Sequence, residues 1–149
     1  MDRQLLRNEL IRDEGLNLHV YRDSVMLYTI GVGHLLGTTP RMMDITKEEA
    51  MALLDMDIAL AEGRVRSLFP FIAPNSSAPV EADEVRWRVL VNMSFNLGNR
   101  LMQFQNFHAA VVARDWETAG KEMLESKWAQ QVGARATRLS QMIVTGRTP

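Results

Sequence analysis

The sequence predicts an α+β protein in which a small antiparallel sheet near the N terminus is joined to a larger helical part. Three observations carry that prediction. Residues 18–34 alternate and are punctuated by glycine, a capping box at 46–49 opens a long run of apolar residues at helical spacing, and the stretches beyond residue 83 read as further helices.

Residues 2–14 read as a helix. Leu6 and Leu10 fall on one face beside Ile11, Asp2 can cap the start, and Gly15 is placed to stop it. Glu14 then stands at the C-terminal end. Leu18-His19-Val20-Tyr21 alternates, and Tyr28-Thr29-Ile30-Gly31-Val32-Gly33 is β-branched and glycine-rich, so these runs pair as the sheet. Thr46-Lys47-Glu48-Glu49 satisfies the capping-box pattern, and Leu54, Ile58, Ala61, Val65 and Leu68 follow on one face, so a helix runs from Thr46 towards Leu68.

Residues 69–79 hold three prolines around a polar centre and read as a connector, so a division between lobes is expected near them. Trp87 to Leu97 is apolar on nearly every side and ends at Gly98, as a helix buried inside a bundle does. Phe107–Arg114, Trp116–Lys127 and Ala134–Val144 supply three shorter helical patterns, the second opening on Asp115 as a cap. The expected organisation is one domain over 1–149, with an N-terminal lobe at about 12–68 and a helical lobe at about 80–149 packed with the N-terminal helix.

Hydrophobic residues form 46% of the chain and charged residues 23%, which places it with ordinary globular proteins and excludes a disordered chain. The absence of cysteine excludes disulfides and thiolate chemistry. The N-terminal stretch has no apolar run long enough for a signal peptide or a membrane span, so neither self-export by the usual route nor membrane insertion is expected. The net charge of -1 divides unevenly: residues 1–85 carry 8 Lys+Arg against 14 Asp+Glu, and residues 86–149 carry 9 against 4. A balanced total argues against nucleic acid as a partner, because phosphate neutralisation dominates such affinity.

Hydrolysis of a glycosidic bond needs one carboxyl that keeps its proton for the leaving oxygen and one that is ionised to activate water or stabilise a cationic sugar. Glu14 faces the negative end of a helix dipole and has Leu16 and Leu18 as apolar neighbours, and both influences oppose its ionisation. Asp23 lies beside Ser24 in a polar turn, a setting that keeps a carboxylate ionised. Thr29, on the returning strand, has a hydroxyl that can position a water. As spacing alone, a pair of carboxylates is common and does not define a site.

The run Glu14-Gly15-Leu16-Asn17-Leu18-His19-Val20-Tyr21-Arg22-Asp23, followed by Tyr28-Thr29-Ile30-Gly31-Val32-Gly33-His34, resembles the signature of bacteriophage lysozymes of glycoside hydrolase family 24. The likeness continues through Thr46 to Ala50, Asn92 to Gly98, Ser126-Lys127-Trp128 and the tail from Arg135 to Gly146, and so covers nearly the whole chain. It implies a lysozyme-like fold with the cleft between the two lobes, Glu14 as proton donor, Asp23 as second catalytic acid and Thr29 as the hydroxyl that places the attacking water. It further implies inverting hydrolysis of the β-1,4 bond between N-acetylmuramic acid and N-acetylglucosamine, with no metal and no organic cofactor. The implied partners are peptidoglycan strands and, functionally, a holin that opens the inner membrane so that a monomer made in the host cytoplasm reaches the wall. Leu35 and Phe95 fall at positions resembling substrate contacts of the family, while an apolar residue on such a helix also reads as core.

Two departures stand out. The family hairpin carries a glycine between the aspartate and the Thr-Ile-Gly run, where this chain has Val25-Met26-Leu27, and the proline-rich connector replaces a longer interlobe helix. His34 reads as structural, tying the sheet to a helix through a carboxylate or carbonyl, and no His-Glu-x-x-His run supports a zinc amidase. Tryptophans at helical positions read first as core, with Trp128, beside a helix end, the best candidate among them to stack on a sugar, and the ten methionines read as core fillers. The competing readings are an inactive peptidoglycan-binding or virion structural module with the same fold, and a lytic transglycosylase, which needs only a single glutamate.

Overall fold

The computed structural model describes residues 1–73 and 81–149. The part of the proline-rich connector at 74–79 lies outside the described residues. The elements run α1 (Arg3–Glu14), β1 (Asn17–Arg22), β2 (Tyr28–Gly31), β3 (His34–Gly37), α2 (Lys47–Leu68), α3 (Glu81–Leu97), a 3-10 turn (Gly98–Gln103), α4 (Gln105–Val112), α5 (Trp116–Leu124), α6 (Lys127–Val132) and α7 (Ala134–Thr145). The chain divides into two compact units, residues 3–60 and residues 1–2 with 61–149, so that α1 and the sheet belong to the first and the dividing point lies inside α2.

In the first unit α1 ends as the glycine signal requires. Gly15 takes φ +79° and its N–H reaches the Ile11 carbonyl at 2.8 Å, satisfying an orphan acceptor of the last turn. The three strands form one antiparallel sheet in the order β1-β2-β3. One face of the sheet is apolar: Ile30, Ile45 and Ala50 form its buried centre, and Leu18, Val20, Leu36, Met51 and Leu53 pack against them. Leu18, expected beside Glu14, is thus a part of this small core. α2 opens on the expected reciprocal cap, in which Glu49 N–H donates to Thr46 Oγ1 and Thr46 N–H to Glu49 Oε1, each at 3.1 Å.

The second unit is helical. α3 supplies its centre, with Trp87, Val89, Leu90, Val91 and Met93 fully buried. α7 lies close against α5, where Gly120 makes room: a β-carbon there would stand 2.5 Å from Val144 Cγ2. Two helix boundaries differ from the sequence expectation. α3 begins at Glu81, six residues before the apolar run, because Glu81, Asp83 and Glu84 place negative charge in its first turn. The expected Trp116–Lys127 helix ends at Leu124, and a separate helix, α6, starts at Lys127, where the Ser126 hydroxyl accepts from the Ala129 N–H at 3.1 Å.

Candidate active site

Glu14 is the last residue of α1 and is half-buried. Its carboxyl is seated on the backbone of Gly33, which joins β2 to β3 at φ +64°. A β-carbon at that position would lie 3.0 Å from Glu14 Oε2 and 3.2 Å from Cδ. Glycine is needed at 33 on two counts: the left-handed backbone and the close approach of the carboxyl.

Asp23 closes the β1–β2 hairpin. Its Oδ1 accepts the N–H groups of Val25 at 3.0 Å and Leu27 at 2.9 Å, its own N–H donates to the Leu27 carbonyl at 2.9 Å, and its carbonyl accepts from Met26 N–H at 3.0 Å. Met26 takes the left-handed conformation, φ 65°, at the tip where the resemblance led us to expect glycine. That conformation costs a side-chain-bearing residue about 1–2 kcal/mol. The two charge-assisted bonds to Oδ1 oppose that cost, so the aspartate holds the turn that the missing glycine would have eased. At the base of the hairpin Arg22 Nη2 donates to the Tyr28 hydroxyl at 2.6 Å, and the guanidinium lies 4.9 Å from the centre of that ring.

Thr29 lies in the central strand, only 3% exposed, and its hydroxyl donates to the Leu27 carbonyl at 3.1 Å. It is directly opposed to Tyr21 on β1 and to Leu35 on β3. Opposed residues share a sheet face, so Tyr21, Thr29 and Leu35 form one row across the three strands. Leu35 is 55% exposed. Burial first, then the charges of Glu14 and of Asp23, push the Tyr21 phenol above its ordinary value. Both carboxylates therefore act electrostatically on one ring.

The structure brings Glu14, Asp23, Thr29 and Leu35 into the unit of residues 3–60, whereas Phe95 is half-buried on α3 in the other unit. The sequence reading passed over Tyr21. The available signal was the alternation of Leu18-His19-Val20-Tyr21, which sets Tyr21 on the face away from Leu18 and Val20.

Other side chains take the roles that packing assigns them. His34 Nδ1 lies 2.7 Å from Asp57 Oδ2, joining β3 to α2 as the structural reading expected. His19 makes a similar 2.6 Å contact with Asp44, but both side chains are at least three-quarters exposed. Trp128, the best sugar candidate among the tryptophans, is core: it is 3% exposed and its indole N–H donates to Asn96 Oδ1 at 2.8 Å. The methionines do not all fill the core. Met93, Met123 and Met142 are buried, but Met26, Met42, Met43, Met56 and Met102 are exposed.

A helix ending on a glutamate, a three-stranded antiparallel sheet beside it and a mainly helical remainder define the α+β fold of the lysozyme-like class. The chain belongs to the phage lysozyme family, whose model matches residues 12–142. Its relatives include the pre-baseplate central spike protein Gp5 of Enterobacteria phage T4, 34% identical over 92% of this chain and 27% of that protein. The probable T4-type lysozyme 1 of Dictyostelium discoideum is 29% identical over 95% of this chain and 94% of the relative, and the endolysin of Salmonella phage P22 is 30% identical over 76% and 81%. The chain thus spans about a quarter of the spike protein and nearly all of the Dictyostelium relative. Among the described residues no helix is long and apolar enough to cross a membrane.

Proposed function

We propose that the chain is a muramidase that hydrolyses the β-1,4 bond between N-acetylmuramic acid and N-acetylglucosamine with inversion, using Glu14 as general acid and Asp23 as general base. The observation that supports this most is the arrangement around the sheet. A glutamate is seated against a backbone position that has no β-carbon, an aspartate is fixed through one oxygen by its own turn, and one phenol feels the charge of both. Family membership supports the same chemistry.

In this reading Glu14 gives its proton to the glycosidic oxygen as the C1–O bond breaks. Water attacks C1 from the opposite face and loses a proton to Asp23, with Oδ2 as the oxygen that the hairpin bonds leave out. Because the Thr29 hydroxyl donates its own proton to the Leu27 carbonyl, its lone pairs are the part offered to the water. The products are a reducing N-acetylmuramic acid end, first in the α configuration, and a free 4-hydroxyl on N-acetylglucosamine. Exchange with solvent then returns a proton to Glu14 and removes one from Asp23.

The setting we infer is lysis of an infected bacterium. A monomer accumulates in the host cytoplasm and reaches the wall once a holin opens the inner membrane, a reading supported by the likeness to the P22 endolysin. The likeness to the T4 spike protein favours a second reading, a lysozyme-fold domain borne on a virion, active or reduced to a structural module.

The test is turbidity loss of outer-membrane-permeabilised Gram-negative cells, wild type against Glu14→Gln, with products identified by mass spectrometry and by the NMR of the first anomer released. Clearing by wild type alone, with reducing ends, is expected. Anhydro ends would point to a transglycosylase, and no clearing by folded wild type would favour the structural module.

A further inference from the structure

We propose that Tyr21 is a positioning residue for the hydrolytic step, its phenol O–H holding the attacking water in line between Asp23 and Thr29. The inference rests on the hydrolytic reading above and concerns a residue to which that reading gives no part.

Three placements support it. Tyr21 is opposed to Thr29 in the β1–β2 register, so the ring and the threonine side chain share a sheet face and a row. Asp23 follows two residues later, one past the end of β1, and its charge acts on the Tyr21 phenol. Thr29 itself is almost wholly covered, so a water that reaches its oxygen is bounded by the side chains flanking it in the row, Tyr21 and Leu35. Leucine offers no hydrogen bond, which leaves the phenol as the polar flank.

The hydrogen-bond requirements of the water close with this arrangement. A nucleophilic water has two protons to donate and two lone pairs, one of which must face the anomeric carbon. Asp23 accepts one proton and is the group that takes it. The Thr29 oxygen, whose own proton is engaged at Leu27, accepts the other. The remaining lone pair needs a donor, and the Tyr21 O–H is one. The phenol keeps its proton throughout: burial and the two neighbouring carboxylates oppose its ionisation, so it remains a donor over the whole neutral range. It orients the water without entering the proton account of the reaction.

The test is Tyr21→Phe, which keeps the ring and removes only the hydroxyl, assayed beside wild type and Glu14→Gln on soluble peptidoglycan fragments. The expected result is a fall in kcat of about tenfold with KM unchanged and an unaltered thermal midpoint at neutral pH, the size of loss typical for one oriented hydrogen bond in a transition state. Tyr21→Leu, which also removes the ring, is expected to lose kcat further. Wild-type kcat in Tyr21→Phe overturns the proposal, and so does a change confined to KM, which would make Tyr21 a substrate contact. If Glu14→Gln turns over normally, the hydrolytic reading itself fails. Inactive Glu14→Gln beside an unimpaired Tyr21→Phe removes only the role given to the phenol.

Discussion

The carboxyl of Glu14 rests on the α-carbon of Gly33, so closely that a methyl group at 33 would stand 3.0 Å from Oε2. Gly33→Ala is therefore expected to act on stability and on turnover together. The left-handed backbone and the displaced carboxyl should cost about 1–3 kcal/mol in urea unfolding. Misplacing a proton donor by a fraction of an ångström to an ångström should lower kcat by about ten- to a hundredfold. An alanine variant with wild-type kcat would show that the seat of Glu14 does not matter to the chemistry.

Asp23 separates into two functions by substitution. Asp23→Asn keeps an Oδ1 acceptor for the Val25 and Leu27 N–H groups and should stay within about 0.5 kcal/mol of wild-type stability, while losing about 10²–10⁴-fold in activity. Asp23→Ala should lose the activity and a further 1–2 kcal/mol or so of stability, because both N–H groups lose their acceptor. Equal unfolding midpoints for the two variants would rule out the hairpin role.

Met26→Gly should stabilise the protein. Relief of the left-handed conformation is worth about 1–2 kcal/mol, and the entropy of a glycine in the unfolded chain takes back about 0.5–1, leaving a gain near 0.5 kcal/mol. A lower unfolding midpoint for the glycine variant would contradict the conformation seen at the tip.

The two histidine–aspartate pairs have nearly equal lengths and unequal expected worth. His34 and Asp57 are about one-quarter exposed, and a double-mutant cycle on them should give about 1 kcal/mol of coupling. His19 and Asp44, mostly in solvent, should give at most about 0.5 kcal/mol, falling as salt is added. Burial, rather than distance, sets the difference.

Tyr21 makes a prediction at alkaline pH. Its folded-state value is raised, so the folded protein holds that proton after the unfolded chain has begun to release it. Its contribution is then complete below the unfolded value, near pH 10, and is lost as pH rises through the folded one. Wild type should lose stability relative to Tyr21→Phe above pH of about 10, and a difference that stays constant from neutral to strongly alkaline pH would remove the effect.

The helices with local signals were legible in the sequence. Gly15 marked the end of α1, Thr46 and Glu49 marked the start of α2, and Asp115 opens α5 by accepting the Thr118 N–H as expected. Ser126 carried an equally good capping signal but lay one residue before the end of the expected Trp116–Lys127 pattern, where it read as part of that helix rather than as the start of another. Trp128 could not be assigned from its place near a helix end, because what decides its role is Asn96, thirty-two residues away. The row of Tyr21, Thr29 and Leu35 depends on where each turn closes, which the alternation of the strands does not mark. The register shifts, between Asn17 and Tyr21 and between Tyr28 and Thr29, lie beyond the row, so once the two turns are placed its members follow by counting.

The carboxylate of Asp23 is at once a reagent and a fastener, and this shapes how such a chain can drift. A descendant released from selection for wall cleavage, as a part of a virion spike would be, still needs its hairpin closed over a tip that has no glycine. Substitution at 23 should then run towards asparagine, which can still fasten, and seldom towards alanine. The residue found at this single position in inactive descendants would record whether chemistry was lost before or after the need for the turn.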